Sequence, residues 1–406
     1  VRVQLTRRQM FTMVGYRPMA WQKIAIGATK EGKLTGITHH AISNTSRYED
    51  YREGIVNASH YLYECPNVNT SYKILPLDVN TPTWMRGPGE ATGAFALECI
   101  LDELAYKLNM DPVELRIKNY AVLHPQSKLP WTSKFLRECY DKGREMIGWS
   151  NRPATPRSLT ENGKLIGYGM GGGVFGASRG NATVKAVFTN EGKLLLYSAV
   201  SDMGPGTATA MVSIAAQVMN MPASKISFLL GDTEFPPGPT QGGSTTTSTM
   251  GTAVSLVCDA LKAQFTEIAL KQTSLFSGLT EADLEFDKEV IRSKKEATTK
   301  ISLTELLKAS GKPQIEVLKE SGPDPAVRSK YAMNSFSAHF MKVAVDPATG
   351  AIEFLKVVCT GDGGKIVSPK TARSQMIGGA VGGIGMALTE EALIDKVTGK
   401  YLNDTL

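Results

Sequence analysis

The chain has 406 residues, with 45 lysines and arginines against 39 aspartates and glutamates, so its formal net charge is +6. A hydrophobic fraction of 42% over this length indicates a globular protein of two domains and excludes a disordered or fibrous one. The basic residues are scattered among acidic ones, which argues against a nucleic-acid-binding stripe. The longest apolar stretch, residues 376–388, is too short and too rich in glycine for a membrane span.

The cysteines and the two ends of the sequence bear on the setting of the protein. Five cysteines lie far apart, with no C-x-x-C motif and no neighbouring histidine, which excludes a zinc or iron–sulfur framework and favours reduced, buried thiols. The first five residues alternate like a strand, without an initiator methionine or the apolar core of a signal peptide. The last residues follow a turn without a cap. We therefore interpret the sequence as a fragment that lacks both ends of a longer protein.

Turn residues between apolar runs predict three hairpins. The first joins residues 21–28 to 33–42 around Gly32, and similar turns stand at residues 190–192 and 346–350. Further along the chain, glycine-rich loops separate strands from helices at residues 193–219 and again at residues 225–249 and beyond. The more charged stretch 273–330 is interpreted as an inserted or linking segment.

Two helices are predicted in the first part of the chain. Leucine and isoleucine spacing indicates an amphipathic helix that begins near Glu90, with Glu98, Asp102 and Glu103 largely off its apolar stripe. A second helix is predicted after Asp111, where Glu114 would complete a capping box.

A stretch without periodicity marks the predicted domain boundary. Residues 151–163 include two prolines and show neither helical nor strand spacing. We place the boundary there, which divides the chain into residues 1–155 and 156–406.

Four glycine-rich segments carry candidate ligand-binding residues. They are residues 86–90, 202–207, 242–249 and 371–379, and each sets glycines beside hydroxyls, amides or an arginine at the boundary of an element. Glycine lets a backbone approach a ligand closely, and helix N-termini favour anions. Arg179, in a further glycine loop, offers a bidentate fork to phosphate. The set indicates a large anionic ligand with phosphates and a heterocycle, and ordinary turns are the alternative interpretation. None of the segments is a P-loop or a G-x-G-x-x-G motif.

The order of several motifs resembles that of the molybdenum hydroxylases, the xanthine dehydrogenase and aldehyde oxidase family. The segment Met85-Arg86-Gly87-Pro88-Gly89-Glu90 is similar to the pterin-binding segment of that family. Residues 110–116, 202–204, 242–244 and 369–379 follow in the family's order. The resemblance covers essentially the whole chain and is strongest to the molybdopterin-binding large subunits of bacterial aldehyde oxidoreductases.

The resemblance implies a fold and a cofactor. The fold would be α+β, with two elongated mixed α/β domains that hold molybdopterin, in the cytosine dinucleotide form typical of bacterial members. Molybdenum would be held by the dithiolene of the cofactor, so no protein side chain is expected to ligate metal. Arg86 and Gly87 would lie near the pterin and metal, and Ser374 and Gln375 on the pterin side. The pyrophosphate and nucleotide would contact Arg179, Met203, Gly204, Gly206, Thr207, Gly243, Ser244, Thr245, Thr246, Thr247 and Ser248.

The resemblance also implies an activity and an assembly. The enzyme would oxidise aldehydes, or N-heterocycles, with oxygen derived from water, and pass electrons to an iron–sulfur subunit and an FAD subunit. The family's general-base glutamate is expected beyond Leu406, so no catalytic residue is assigned here and these 406 residues alone are expected to be inactive. The alternative is a truncated, non-catalytic cofactor-binding or scaffold chain. Unpaired cysteines suit the cytoplasm and related enzymes can be periplasmic, so both compartments stay open.

Overall fold

A computed structural model describes residues 3–404 as a mixture of helices and strands, which confirms the mixed α/β class. The helices are α1 (Arg7–Met13), α2 (Ala58–Tyr61), α3 (Glu90–Lys107), α4 (Pro112–Lys118), α5 (Leu136–Ile147), α6 (Thr207–Met219), α7 (Thr246–Gln272), α8 (Leu303–Ala309), α9 (Pro325–Arg328) and α10 (Pro369–Leu388). The strands are β1 (Ala20–Ala28), β2 (Leu34–Ser46), β3 (Val68–Leu77), β4 (Thr160–Glu161), β5 (Lys164–Gly176), β6 (Ala182–Thr189), β7 (Leu194–Ser198), β8 (Ile226–Leu230), β9 (Leu284–Asp287), β10 (Val290–Ser293), β11 (Lys300–Ser302), β12 (Gln314–Ser321), β13 (Asn334–Val345) and β14 (Ile352–Asp362).

The chain divides into two compact units, and neither is one continuous segment. The first unit holds the segment that ends at Gly176, Val327–Gly364, and the segment that begins at Met376. The second unit holds Ala177–Ala326 and Lys365–Gln375. This division differs from a single boundary at residue 155, because β5 pairs with β13 in one sheet of the first unit. The boundary at residue 155 stays a prediction about the family's domains.

The first unit is built on two sheets. One has the strand order β1-β2-β3, and the other has the order β14-β13-β5-β4. Leu97 on α3, Tyr140 on α5 and Phe340 on β13 are fully buried in the common core. Helix α5 approaches β13 so closely that a Cβ on Gly143 would lie 2.2 Å from the Phe340 ring. Only glycine fits at that position.

The second unit packs α6 and α7 against a sheet of order β12-β6-β7-β8. Val254, Leu261 and Phe265 on α7 are fully buried, and Phe265 meets Phe188 on β6 edge to face at 5.0 Å between ring centroids. The charged stretch 273–330 supplies β12, which pairs with β6 along its whole length. Residues 273–326 are therefore part of the second unit, and the interpretation of the stretch as an insertion or linker was wrong for β12.

The predicted hairpins and the first predicted helix are confirmed. The turn glycines Gly32, Gly192 and Gly350 have φ angles of 83°, 76° and 74°, which a side chain at those positions would strain. Helix α3 begins at Glu90, as predicted. The strand expected for the first five residues is wrong where the structure describes it, because residues 3–5 form no strand and Thr6 caps α1 instead. Residues 1 and 2 lie outside the described residues.

Glu98 is buried, although its spacing on α3 placed it off the apolar stripe. Arg116 on α4 is fully buried and donates from Nε to Glu98 Oε2 over 2.8 Å. The same carboxylate accepts from the Tyr63 hydroxyl over 2.7 Å and from the Gly172 N–H of β5 over 2.8 Å. Glu98 therefore joins α3, α4 and β5.

The predicted capping box at α4 is only half formed. Asp111 accepts hydrogen bonds from Val113 N and Glu114 N over 2.7 and 3.2 Å, so it caps the helix as expected. The Glu114 carboxylate does not close the box, because it binds Arg144 Nη1 on α5 over 2.7 Å instead.

Among residues 3–404, no helix combines the length and apolar character needed to cross a membrane.

Candidate cofactor-binding site

Three helices begin at one cavity of about 220 Å³ that lies within the second unit. Helix α6 begins at Thr207, α7 at Thr246 and α10 at Pro369. Unpaired N–H groups and aligned peptide dipoles give each helix start a partial positive charge. The residues that line the cavity from these starts are Pro205, Gly206, Thr207, Ala210, Thr246, Thr247, Ser368, Thr371, Ala372 and Gln375. Their convergence suits a ligand with anionic groups.

The loop before α6 is held by two side chains. Asp202 accepts from Gly204 N over 2.8 Å and from Thr207 N over 2.9 Å. Gln241 accepts from Met203 N and donates to the Thr207 hydroxyl, both over 2.8 Å. Gly206 has a φ angle of 88°, and a Cβ there would come within 3.2 Å of the Thr371 methyl group. The loop is therefore fixed against the start of α10.

Sequence reasoning missed Gln241 and Lys365. Gln241 had no motif of its own, and its only signal was its place just before the Gly242-Gly243 pair. Lys365 lines the cavity, and its ammonium donates to Gln217 Oε1 over 3.4 Å. The positive charge of Lys365 at the cavity adds to the partial positive charges of the three helix starts.

The predicted hydroxyls at the start of α7 have different environments. Thr246 and Thr247 line the cavity. Gly243 and Ser244 form the turn before the helix with φ angles of 61° and 57°, and Thr245 donates to Gly242 O over 3.1 Å. These three residues and Ser248 shape the loop but do not line the cavity.

Arg179 is tied to α7 through its own loop. The Ser248 hydroxyl donates to Ser178 O over 2.7 Å, and Gly180 N donates to the Thr249 hydroxyl over 3.0 Å. The Arg179 guanidinium lies 3.8 Å from an Asp324 oxygen, and about a third of its side chain is exposed. At this distance the ion pair with Asp324 engages few of the five N–H donors of the guanidinium.

The remaining predicted residues fall into two places. Gln375 on α10 lines the cavity, whereas the Ser374 hydroxyl bonds within the helix to Lys370 O over 3.2 Å. Arg86 and Gly87 belong to the first unit, at the loop that leads into α3. Met203 and Gly204 shape the loop before α6 without lining the cavity. The structure thus groups the predicted residues in two sets, one in each unit.

The chemistry of the donor set fits an organic anion. Helix N-termini, hydroxyls, an amide and a lysine surround the cavity, and all of them can donate hydrogen bonds to phosphate oxygens. Within residues 3–404, no three His, Cys, Asp or Glu side chains converge as a metal-binding group.

Comparison with known families gives the class of the protein. A family model described as a molybdopterin cofactor-binding domain matches residues 142–406, and a second model of the same description matches residues 1–120. The chain therefore belongs to the molybdopterin cofactor-binding family of xanthine dehydrogenases and aldehyde oxidoreductases.

Individual relatives agree with this class. The aldehyde oxidoreductase molybdenum-binding subunit PaoC of Escherichia coli is 30% identical over 404 residues, which cover 99% of this chain and 53% of that subunit. The putative xanthine dehydrogenase molybdenum-binding subunit XdhA of the same organism is 26% identical over 424 residues, or 55% of its length. The chain spans about half the length of the curated relatives it matches.

A solved structure shares the fold. Quinoline 2-oxidoreductase from Pseudomonas putida superposes with a TM-score of 0.85 at 18% identity, over 99% of this chain and 54% of that one.

Proposed function

We propose that this chain binds a molybdenum-bearing molybdopterin and forms the cofactor-binding part of an enzyme that oxidises aldehydes. The observation that carries the proposal is the convergence of three helix N-termini at one cavity in the second unit. Such a convergence favours phosphate groups over neutral ligands. The name of the aldehyde oxidoreductase relative supports aldehydes as the substrate class.

The residues of this chain would divide the binding between them. Gly206 and Thr207 at α6, Thr246 and Thr247 at α7, and Gln375 at α10 would contact phosphate and neighbouring atoms. Arg179, held beside α7, would add a charged contact to the pyrophosphate. An arginine in addition to three helix starts supports the cytosine dinucleotide form, which carries a second phosphate and a nucleoside.

The loop before α6 would approach the ligand through its backbone. Met203 and Gly204, fixed by Gln241 and Asp202, present main-chain atoms rather than long side chains. Gly243, Ser244, Thr245 and Ser248 would shape the corresponding loop at α7. In the first unit, Arg86 and Gly87 would contact the pterin side, and Ser374 would hold the turn that carries Gln375.

The overall reaction would convert an aldehyde and one water into a carboxylic acid, two protons and two electrons. When bound, the cofactor supplies the two-electron redox chemistry of this conversion. The Asp202 carboxylate accepts two backbone N–H groups, which commits it to the loop. As the family resemblance implies, we assign the general base to a glutamate beyond Leu406, and the electron acceptors to iron–sulfur and FAD groups on partner chains.

The test is to purify the protein from cells that make the molybdenum cofactor and to measure bound molybdenum and the cytidine nucleotide released by acid. Thr247→Val removes the hydroxyl of a residue that lines the cavity, and Thr252→Val is the matched control five residues further along α7. We expect the first variant to hold less molybdenum and the second to match the unaltered protein. An unaltered protein with neither molybdenum nor pterin would overturn the proposal. Because these 406 residues alone are expected to be inactive, turnover is assayed in the longer subunit with its partner chains, where bound cofactor without turnover of any aldehyde would support the non-catalytic alternative.

A further inference from the structure

The loop of residues 86–89 is held at both ends by side chains from distant parts of the first unit. Arg17 donates from Nη2 to the carbonyl oxygen of Arg86 over 2.6 Å. At the other end, the N–H of Gly89 donates to Glu53 Oε2 over 3.0 Å. Since Gly89 is the residue before α3, the Glu53 carboxylate sits at the start of that helix. Neither Arg17 nor Glu53 belongs to the glycine-rich segment itself.

Glu53 is a buried carboxylate with a defined set of donors. Its residue is only 3% exposed. One oxygen accepts from Gly89 N, and the other accepts from the Tyr51 hydroxyl over 2.9 Å. Tyr51 is itself buried and its N–H donates to the Thr45 hydroxyl over 3.0 Å. A buried carboxylate without such donors would be strongly destabilising, so these contacts keep Glu53 in one orientation.

Electrostatics also favours the Glu53 carboxylate at the start of α3. The start of α3 carries a partial positive charge, and a carboxylate placed there is stabilised. Burial and the neighbouring Glu53 raise the pKa of the Tyr51 hydroxyl, so Tyr51 remains a donor to that carboxylate at all ordinary pH values. Glu90, which also lies at this helix start, accepts from the Tyr61 hydroxyl over 2.8 Å and points to a different partner.

The backbone beside Glu53 leaves the loop no room to shift inward. Gly89 has a φ angle of 78°, and a Cβ there would come within 2.4 Å of Gly54 N. One turn further along α3, a Cβ on Gly93 would come within 1.7 Å of Ile55 O. Residues 53–55 therefore form a platform against which the end of the loop and the first turn of α3 rest.

We infer that Glu53 is a positioning residue that fixes the shape of the Arg86–Gly89 loop. It acts through Gly89 and Tyr51 and does not itself contact the cofactor. The functional consequence rests on the proposed function, because it requires Arg86 and Gly87 to face the pterin. The other half of the inference, that Glu53 holds the loop in place, does not depend on any ligand.

The experiment compares Glu53→Ala with Glu53→Gln, whose amide oxygen can still accept from Gly89. Glu64→Ala is the control, because Glu64 is half-exposed and its partner Lys128 lies 4.0 Å away. In cofactor-free protein, we expect hydrogen exchange at residues 86–90 to rise about tenfold or more in Glu53→Ala, to change little in Glu53→Gln, and not to change in Glu64→Ala. In protein from cofactor-producing cells, Glu53→Ala should hold several-fold less molybdenum or show an altered electron paramagnetic resonance spectrum of the metal.

The outcomes separate the two proposals. If unaltered protein carries no molybdenum, the proposed function fails and the exchange data still decide the role of Glu53. If molybdenum is present and both exchange and the metal spectrum are unchanged in Glu53→Ala, the role of Glu53 is overturned. If Glu53→Ala does not fold, Tyr51→Phe tests the inference instead. This variant removes the hydroxyl that donates to the Glu53 carboxylate, so hydrogen exchange at residues 86–90 should rise. Unchanged exchange in Tyr51→Phe would then contradict the inference.

Discussion

The guanidinium of Arg86 lies over the Cα of Gly378, so closely that a Cβ on Gly378 would come within 2.5 Å of Arg86 Nη1. The next residue of α10, Gly379, has nothing within 4 Å of the same position. Two adjacent glycines of one helix therefore differ in the space that is available for a side chain. Gly378 makes room for Arg86, whereas a side chain at position 379 would meet open space.

We expect Gly378→Ala to lower bound molybdenum, because the new methyl group must displace the Arg86 guanidinium. Gly379→Ala is the matched control, since both substitutions gain up to about 1 kcal/mol of helix propensity. Metal analysis and thermal melting of the two variants side by side check this. Equal molybdenum content in both variants would show that the position of Arg86 is unimportant for the cofactor.

Arg179→Ala should reduce molybdenum and cytidine nucleotide content together while leaving stability almost unchanged. The Arg179–Asp324 ion pair is long and partly exposed, and such pairs contribute about 0–1 kcal/mol. A charge-assisted contact to phosphate is worth about 1.5–3 kcal/mol. Asp324→Asn provides the control, because it removes the acidic partner and keeps the guanidinium. Full cofactor occupancy in Arg179→Ala would refute the phosphate contact.

Glu98→Ala should destabilise the first unit by about 3 kcal/mol or more, because it leaves the fully buried Arg116 short of a partner. Asp102 still pairs with Arg116 over 2.8 Å, which places the effect at the lower end of the usual range. Glu103→Ala, on the exposed side of the same helix, should change the free energy of unfolding by less than about 0.5 kcal/mol. Urea unfolding of both variants measures the difference, and similar midpoints would contradict the structural role of Glu98.

Lys134 should make stability depend on pH. Burial lowers its pKa from 10.5 to about 7, although the rings of Tyr120, Trp131 and Phe336 lie within 4.4–4.8 Å of its ammonium and offset part of the cost. Between pH 7 and 10.5 the unfolded chain binds a proton that the folded chain has released, so stability should rise with pH. The slope from this group is at most about 1.4 kcal/mol per pH unit.

The measurement is urea unfolding at several pH values from 7 to 10 in the unaltered protein and in Lys134→Met. The variant should lose the part of the slope that comes from Lys134. Lys128→Met, at a lysine whose side chain is 67% exposed, should keep it. Parallel pH profiles for the unaltered protein and Lys134→Met would show that Lys134 remains charged when the protein is folded.

Local patterns predicted those parts of the fold that depend on neighbouring residues. The hairpin at Gly32 follows from a glycine with a positive φ angle between alternating runs, and α3 follows from its leucine spacing. The burial of Glu98 could not be predicted in this way, because it depends on Arg116 from another helix and on Gly172 from a strand. The sheet that joins β5 to β13 is likewise set by contacts between segments far apart in the sequence.

In the candidate site, too, features set by neighbouring residues were predictable and features set by distant residues were not. The glycine loops before α6 and α7 were recognisable as a ligand-binding pattern, whereas the predicted segment 371–379 lies inside α10. The structure brings the starts of all three helices to one cavity. The residues that support the predicted loops were not recognisable. Gln241 holds the loop before α6 and Glu53 holds the loop before α3, both across long sequence separations and without a motif. The roles of the individual cofactor-binding residues stay predictions until the variants above are measured.

The pairing of β5 with β13 also sets an order for folding during synthesis. The four-stranded sheet of the second unit has all its strands once Ser321 has been made, whereas the four-stranded sheet of the first unit needs β14, which ends at Asp362. Leu97 and Tyr140 are translated early, but Phe340 and Val358 of the same core are translated late. The early segments of the first unit therefore depend on later segments of the chain to close their core. Until those later segments are made, the apolar faces of α3 and α5 lack their packing partners, and exposed apolar surface of this kind favours aggregation.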